Sequence, residues 1–428
     1  MSKEKELTQL KKGTATFNLV GKANISDFTF KIDVESSKEN SDWVYNQMNL
    51  GVDCGQYGTI YCDLMGGYGS SRDNVVYVHG KKDDGKDDFK SNFQIDWEDR
   101  FDEEVLKSVG DMCFINVGIE KDENGKTINK KFVHQYDAIK YINDNLTNDT
   151  IVNVKGNLEW SIYKDEIQVK KTLTSIYLSK AEEKDFKATF TQTVLLDSDS
   201  IGKLDKETNS VPITAYIIEN IRKNFNGVSL IRNVNGKTIT SMNLPLTKTF
   251  DFLIGEDKEK AKKMLKVFKT KGKKITQLTI DGYFTRGEIN SVEVTEDDIP
   301  DDIKELIELG YVDKDEILGQ IALKNGGKKP EKMIIKSPHI KYVGEDIKIP
   351  SVDKVVDLYE EDDVNLSLIL ESIKSDNDIE NIIEDSEEES TSEEESTSEE
   401  ESTSEEDIEK ALNNDVIDDE DNDWLKDL

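Results

Sequence analysis

Aromatic and cationic side chains recur beside glycine turns and within β-patterned stretches of this 428-residue chain. An aromatic ring can stack on a planar base, and a lysine or arginine can pair with a phosphate. In the N-terminal part, the candidates for this chemistry are Trp43, Tyr45, Tyr57, Tyr61, Tyr68, Arg72 and Tyr77, followed at a predicted hairpin tip by Trp160, Tyr163 and Lys164. Further along the chain, their counterparts are Arg232, Lys237, Lys248, Tyr283 and Arg286.

Any one of these rings has an alternative role in core packing, which is the commoner fate of an aromatic residue. Trp160 shares strand parity with Val152 and Val154, which favours the core. Tyr283 lies on the polar parity of its stretch and is the strongest single candidate for stacking. The lysine-rich run 262–274 is typical of a solvated helix face, and alternatively guides phosphates.

A repeated order of elements positions these residues. A helical pattern over 132–146 precedes a strand over 150–160, a polar tip and a second strand over 167–178. The order returns as a short helix over 261–268, a strand over 275–286 and an alternating stretch over 289–294. Gly156 and Gly282 interrupt equivalent strands, as glycines do at barrel corners. The repeat predicts a duplicated architecture.

About five strands with a helix before the fourth is the order of the oligonucleotide-binding (OB) barrel. The sequence therefore predicts a mainly β protein with short helices, built from two tandem OB-like barrels and a disordered acidic C-terminal tail. The predicted segments are a flexible arm at 1–12, a first barrel at 13–183, a second barrel with an extension at 184–355, and the tail at 356–428.

The negative charge of the chain is concentrated in its tail. Residues 357–428 hold 31 acidic and 3 basic residues, a net charge of −28, whereas the preceding 356 residues hold 59 and 53, a net of −6. The formal net charge of −34 therefore does not argue against a polyanionic partner for the body. A Ser-Glu-Glu-Glu-Ser-Thr repeat predicts disorder, and the terminal Trp424, Leu425 and Leu428 predict a peptide presented to a partner.

Enzymatic and metal chemistry find little support in the pattern. Cys54, Cys62 and Cys113 show no ligand spacing with His79 or His134, so neither a metal nor a cofactor is predicted. The run 66–71 lacks the spacing and lysine of a phosphate loop, and no acid–base set stands out. The few cysteines, with no apolar signal or membrane-spanning run, predict a soluble protein of a reducing compartment.

Tandem β-barrels followed by an acidic tail with an apolar tip resemble single-stranded DNA-binding proteins of the OB-fold type, particularly those of bacteriophages. The resemblance implies basic residues on the strand backbone, bases stacked on aromatics, and a tail that recruits replication or repair proteins. In the bacterial family the acidic tail ends in proline and phenylalanine, whereas this chain ends in Trp424-Leu425-Lys426-Asp427-Leu428. The identity of the partner therefore does not transfer.

These observations predict a non-enzymatic protein that binds single-stranded DNA with little sequence specificity in replication or recombination, with no membrane role. If it is phage-encoded, its compartment is the host cytoplasm. The alternative is a structural or scaffolding protein of a virus, in which the acidic tail serves solubility or assembly.

Overall fold

The computed structural model describes residues 8–163, 166–206, 208–234, 237–255, 257–286, 304, 331–344 and 348–374. The first ten strands are β1 (Ala15–Asn24), β2 (Phe30–Glu35), β3 (Trp43–Asp53), β4 (Thr59–Gly69), β5 (Val75–Lys81), β6 (Asp87–Asp96), β7 (Ile115–Lys121), β8 (Thr127–Phe132), β9 (Ile151–Tyr163) and β10 (Glu166–Leu178). The remaining strands are β11 (Lys187–Leu196), β12 (Ser210–Arg222), β13 (Asn224–Phe225), β14 (Val228–Ser229), β15 (Arg232–Val234), β16 (Lys237–Ile239), β17 (Ser241–Leu253), β18 (Lys274–Arg286), β19 (Glu331–Pro338), β20 (Ile340–Val343), β21 (Ile349–Val352) and β22 (Lys354–Glu360). The helices are α1 (Glu103–Lys107), α2 (Gln135–Asn145), α3 (Lys258–Phe268) and a helical stretch over 366–374.

Five strands close the first barrel, here called barrel 1. β1 pairs with β9, β9 with β10, β4 with β3, and β3 with β1, all antiparallel. β10 closes the ring against β4 in parallel. α2 precedes the fourth barrel strand, β9, and buries Ala138, Ile139 and Ile142. This is the order of an OB fold, as predicted.

The same connectivity builds barrel 2 from β11, β12, β17, β18 and β19. β11 pairs with β12 and β18, β12 with β17, and β18 with β19, all antiparallel, and β17 meets β19 in parallel. α3 occupies the place of α2 before the fourth strand. The predicted duplication is confirmed. However, the strand that closes barrel 2 is Glu331–Pro338; the predicted stretch 289–294 lies outside the described residues.

The two barrels join through their first strands. β1 and β11 form an antiparallel ladder from Ala15↔Gln192 to Val20↔Lys187, in which Phe17 faces Phe190. One apolar core runs through both barrels. Across the junction, the buried Lys171 of β10 makes an ion pair with Glu331 of β19 at 2.5 Å. The barrels therefore pack as one body.

An insert between β4 and α2 carries its own small core. The β5–β6 hairpin, α1 and the residues that flank the β7–β8 hairpin supply this core, in which Val76, Val78, Ile95, Val109, Phe114 and Val133 pack together. β7 itself pairs with β10 and buries its apolar side chains in the main core. Residues 80–100, which include most of β6, are polar and charged in sequence. Most of the side chains of β6 are half-buried or exposed, so apolar alternation does not reveal it.

The first and the last of the three predicted segment boundaries differ from the structure. Leu10 is buried, and Asn243 Nδ2 donates to its carbonyl at 2.8 Å, so residues 8–12 pack on barrel 2 instead of forming a free arm. At the other end, β22 pairs with β18, and the buried Val364, Ile369 and Ile373 hold the following residues on the core. The packed structure thus extends through 374, past the predicted boundary at 356. No described helix is long and apolar enough to span a membrane.

Candidate nucleic-acid interface

The outer face of β3 and β4 carries the first group of predicted residues. Met48, Leu50 and Val52 point into barrel 1, so the alternate residues of β3 point outward. Across the ladder, Tyr45 lies opposite Gly67, Gln47 opposite Met65, and Gly51 opposite Tyr61. In OB barrels, strands two and three present this face to oligonucleotides.

Glycines opposite the aromatic residues leave room for their rings on this face. A Cβ at Gly67 would lie 2.8 Å from Trp43 Cε2, and one at Gly51 would lie 3.3 Å from Tyr61 Cε1. The indole of Trp43 therefore packs directly over the backbone at Gly67. Tyr61 remains 38% exposed, while Trp43 and Tyr45 are half-buried. Rings held in this way keep part of their surface open to a ligand.

Barrel 2 contributes to the same face. The guanidinium carbon of Arg286, the last residue of β18, lies 4.6 Å from the centre of the Tyr61 ring. Tyr283 contacts Tyr57 with ring centroids 5.5 Å apart. Burial raises the pKa of the Tyr283 hydroxyl, and Tyr57 adds to that shift. We call Tyr57, Tyr61, Tyr283 and Arg286 the seam cluster; the structure brings together residues that the sequence assigned to separate units.

Trp160 does not fit a role in base stacking. Its side chain is 3% exposed, and Nε1 donates to Gln192 Oε1 at 3.1 Å across the junction between the barrels. Its backbone N–H donates to Glu219 at 3.1 Å. The prediction that Trp160 belongs to the interface is therefore corrected to core packing, the role that its strand parity favoured.

Other predicted residues of barrel 1 lie apart from the seam cluster. Tyr68 stacks on Trp97 at 5.1 Å and meets Tyr136 edge-on, inside the contact between the barrel and the insert. Arg72 follows β4 and lies 3.5 Å from an Asp42 oxygen. Tyr77 is 76% exposed on the insert.

Lys248 and Arg232 are the remaining predicted residues of barrel 2 whose side chains the structure describes. Burial lowers the pKa of Lys248, although Glu331 and Asp251 act in the opposite direction. Arg232 Nη1 lies 3.1 Å from Met242 Sδ. Tyr163 is the last residue of β9 and Lys237 is the first residue of β16. The other predicted residues, Lys164, Trp424, Leu425 and Leu428, lie outside the described residues.

The equivalent face of barrel 2, on β12 and β17, has a different character. Thr214 and Thr249 share a hydrogen bond at 3.0 Å, and Asn220 bonds to Asn243 at 3.0 Å. The Tyr216 hydroxyl donates to Asp197 at 2.9 Å. These side chains bond to one another or to a neighbouring loop, so this face of barrel 2 presents hydroxyl and amide groups where that of barrel 1 presents Trp43, Tyr45 and Tyr61.

Two exposed apolar side chains were missed by the sequence reasoning. Met65 is 45% exposed on β4, and Phe28 is 88% exposed in the connection between β1 and β2. OB barrels use this connection in binding oligonucleotides. The alternation of Phe28 with Phe30 indicates a strand, but a turn closed by Thr29 N donating to the Ser26 carbonyl precedes β2. The Ser26-Asp27 pair is the available signal for that turn.

Comparisons with known proteins give one family. No curated protein matches the sequence. Among solved structures, a deletion mutant of the single-stranded DNA binding protein from Thermus aquaticus aligns with 9% sequence identity and a TM-score of 0.24, covering 64% of this chain and 88% of that one. At that TM-score the likeness carries no weight for fold or function. A model of the YorF family matches residues 78–298, just over half of the sequence. This chain therefore belongs to the YorF family.

Proposed function

We propose that this protein binds single-stranded DNA, with little sequence specificity, on the outer face of β3 and β4. The observation that carries the proposal is the row of partly exposed rings on strands two and three of an OB barrel, Trp43, Tyr45 and Tyr61, with Arg286 over one end. Every base has a π-face, so stacking on these rings tolerates any sequence.

The local packing suits such a surface. The Trp43 ring lies against Gly67 and the Tyr61 ring against Gly51, so both have limited freedom to lose when a base stacks on them. The Arg286 guanidinium is planar and charged, so it can stack on a base or pair with a phosphate. In this proposal, barrel 2 places Arg286 and Tyr283 beside Tyr61 and Tyr57 of barrel 1.

Fluorescence anisotropy with labelled oligo-dT and the full chain tests the proposal. Tyr61→Ala should weaken binding by about 1–3 kcal/mol, the range for a base–aromatic stack. Tyr342→Ala is the matched control, since Tyr342 is 66% exposed on β20, and it should leave affinity unchanged. Equal losses in both variants, or no binding of oligo-dT at low salt by the unmodified chain, would contradict the proposal. The second result would leave a structural or scaffolding role as the better explanation.

We further propose a role in replication or recombination, in which Trp424, Leu425 and Leu428 bind a partner protein. This rests on the sequence alone: apolar side chains end a segment with a net charge of −28. Such side chains can anchor in a pocket while the flanking aspartates steer them towards a basic surface. Deleting 424–428 should abolish the pull-down of replication or recombination enzymes and preserve oligo-dT affinity. An unchanged pull-down would refute the role of the tip.

A further inference from the structure

Three side chains of the insert form a connected chain of contacts. Cys113, which ends a turn of 3-10 helix at Asp111–Cys113, places Sγ 3.2 Å from His79 Nδ1 on β5. The other ring nitrogen, His79 Nε2, lies 2.6 Å from Asp87 Oδ1 on β6. Thiol, imidazole and carboxylate in this order are the arrangement that activates a cysteine nucleophile.

The contacts of Asp87 determine the tautomer of His79. Asp87 Oδ1 also accepts a hydrogen bond from the backbone N–H of Met112 at 2.9 Å. That bond, together with the one from His79, lowers the pKa of the Asp87 carboxyl, which therefore stays ionised. An ionised carboxylate only accepts, so His79 Nε2 carries the proton. In the neutral imidazole Nδ1 is then the unprotonated nitrogen, and it faces the thiol as a base.

The backbone around the site holds this geometry. Gly110 N donates to the His79 carbonyl at 2.7 Å. A Cβ at Gly110 would lie 2.4 Å from Asp87 Oδ1 and 2.5 Å from His79 Cδ2, so glycine alone allows this approach. On another side, the Phe89 ring packs against the imidazole with centroids 4.7 Å apart. Imidazole and carboxylate are thus fixed before any reactant arrives.

The thiol also has access to solvent. Cys113 is partly exposed, and it lines an open cavity of about 460 Å³ together with Tyr77, His79, Phe93 and Gln94. The other two cysteines, Cys54 and Cys62, are fully buried. Burial raises the pKa of the Cys54 thiol to about 12 and that of the Cys62 thiol still further. Only Cys113 therefore combines access with an adjacent base among these three.

We propose that Cys113 is a nucleophilic thiol that exchanges with low-molecular-weight disulfides, with His79 as its general base. Burial raises the pKa of the Cys113 thiol as well, so the thiol is protonated until His79 Nδ1 takes its proton. The resulting thiolate attacks one sulfur of the disulfide, and a new S–S bond forms as the old one breaks. The departing sulfur leaves as a thiolate and receives the proton from His79. The products are a mixed disulfide on Cys113 and one free thiol.

Thiol–disulfide exchange asks less of the site than acyl transfer does. The hydrogen bonds described for Sγ all involve His79: its backbone N–H at 3.3 Å, its Nδ1 and its carbonyl oxygen at 3.8 Å. Acyl transfer needs further donors aimed at an oxyanion. In thiol–disulfide exchange the negative charge stays on sulfur, so that requirement does not arise.

Incubating the native full-length chain with glutathione disulfide tests this inference by mass spectrometry. We expect a single glutathione adduct on the peptide with Cys113, none on Cys54 or Cys62, and no adduct in Cys113→Ser. General base catalysis contributes roughly 10²–10⁴-fold, so His79→Gln should slow the reaction by at least about tenfold. Asp87→Asn retains both the thiol and the imidazole, so it should slow adduct formation less than His79→Gln does. Equal rates in the unmodified chain and both variants, with unchanged thermal midpoints, would overturn the proposal.

The pH profile separates base catalysis from a merely structural effect of His79. Besides Asp87, the charged side chains around the Asp111–Cys113 turn are Asp111 and its two ion-pair partners. Lys81 Nζ lies 3.1 Å from Asp111 Oδ1, and Lys131 Nζ lies 3.4 Å from it. In the unmodified chain, where His79 takes the proton from the thiol, the rate should depend less steeply on pH. In His79→Gln it should keep rising, about tenfold per pH unit, with the thiolate fraction. Parallel profiles would show that His79 takes no proton, and would refute its assigned role.

Discussion

Phe190 of β11 lies directly opposite Gly282 of β18, and its ring fills the space that a side chain at that position would need. A Cβ there would lie 2.2 Å from Phe190 Cζ and 2.4 Å from the Ile334 carbonyl oxygen. Barrel 1 repeats the relationship, with Phe17 opposite Gly156. The two phenylalanines then face each other across the β1–β11 ladder. A phenylalanine ring therefore packs over a glycine in each barrel, and the two phenylalanines meet at the junction between the barrels.

Gly282→Ala should lower the free energy of unfolding by about 1–3 kcal/mol, the usual cost of overpacking a core. The added methyl group meets a ring and a backbone oxygen, and the backbone cannot move aside cheaply. Gly255→Ala is the control, because nothing lies within 4 Å of its Cβ position. Urea denaturation measures both variants. Equal stabilities would show that the ring of Phe190 does not require the glycine.

Trp160→Phe should destabilise the fold without weakening DNA binding. The change removes the indole N–H that donates to Gln192 Oε1, and Gln192 is 2% exposed. An unpaired buried acceptor costs about 1–3 kcal/mol. Thermal unfolding and oligo-dT anisotropy on the same sample separate the two effects. A large loss of affinity in a stably folded variant would return Trp160 to the interface.

Arg286→Gln should make oligo-dT binding less dependent on salt. If the guanidinium pairs with one phosphate, the log–log slope should fall in magnitude by about 0.7, the value for one contact on a single strand. Arg72→Gln is the comparison, since Arg72 lies beyond the other end of β4 beside Asp42. An unchanged slope with weaker binding would assign Arg286 to base stacking. Unchanged slope and affinity together would remove it from the interface.

His134 should make the fold sensitive to mild acid. Burial, reinforced by Arg100, lowers the pKa of this imidazole below its usual 6.5, against an opposing effect of Asp137. As the pH falls through 6.5, the unfolded chain takes up a proton before the folded chain does, so stability decreases. In the folded protein, Nδ1 accepts from Tyr136 N at the start of α2. His134→Asn keeps an acceptor there and should lose less stability between about pH 7 and 5. Identical acid slopes would contradict this account.

The barrel strands could be predicted because their alternation encodes burial directly. Val152, Val154 and Leu158 of β9 are buried on one parity, and Gly156 lies on the same parity with the Phe17 ring packed against it. For the closing strand of barrel 2, the sequence indicates a short strand at 332–335 but does not show which barrel or module it joins. A long stretch of sequence separates Glu331–Pro338 from β18, its antiparallel neighbour, so no local signal identifies that partner.

The candidate sites show the same division between local and long-range information. Tyr61 and Arg286 could each be singled out by residue type, but 225 positions separate them and only barrel packing brings them together. His79, Asp87 and Cys113 fit no spacing motif, because a hairpin and a separate turn assemble them. For Trp160, the sequence allows either core packing or base stacking, and the long-range hydrogen bond to Gln192 at the junction between the barrels decides for the core.

Ultraviolet cross-linking of the full chain to oligo-dT, followed by peptide mass mapping, tests the proposed interface most directly. Adducts should fall on β3 and β4, at Trp43, Tyr45 or Tyr61, where partly exposed rings share one face of barrel 1. Tyr77 and Tyr342 serve as internal controls, because they are 76% and 66% exposed on the insert and on β20. Adducts confined to those two tyrosines, with none on β3 or β4, would contradict the proposed interface.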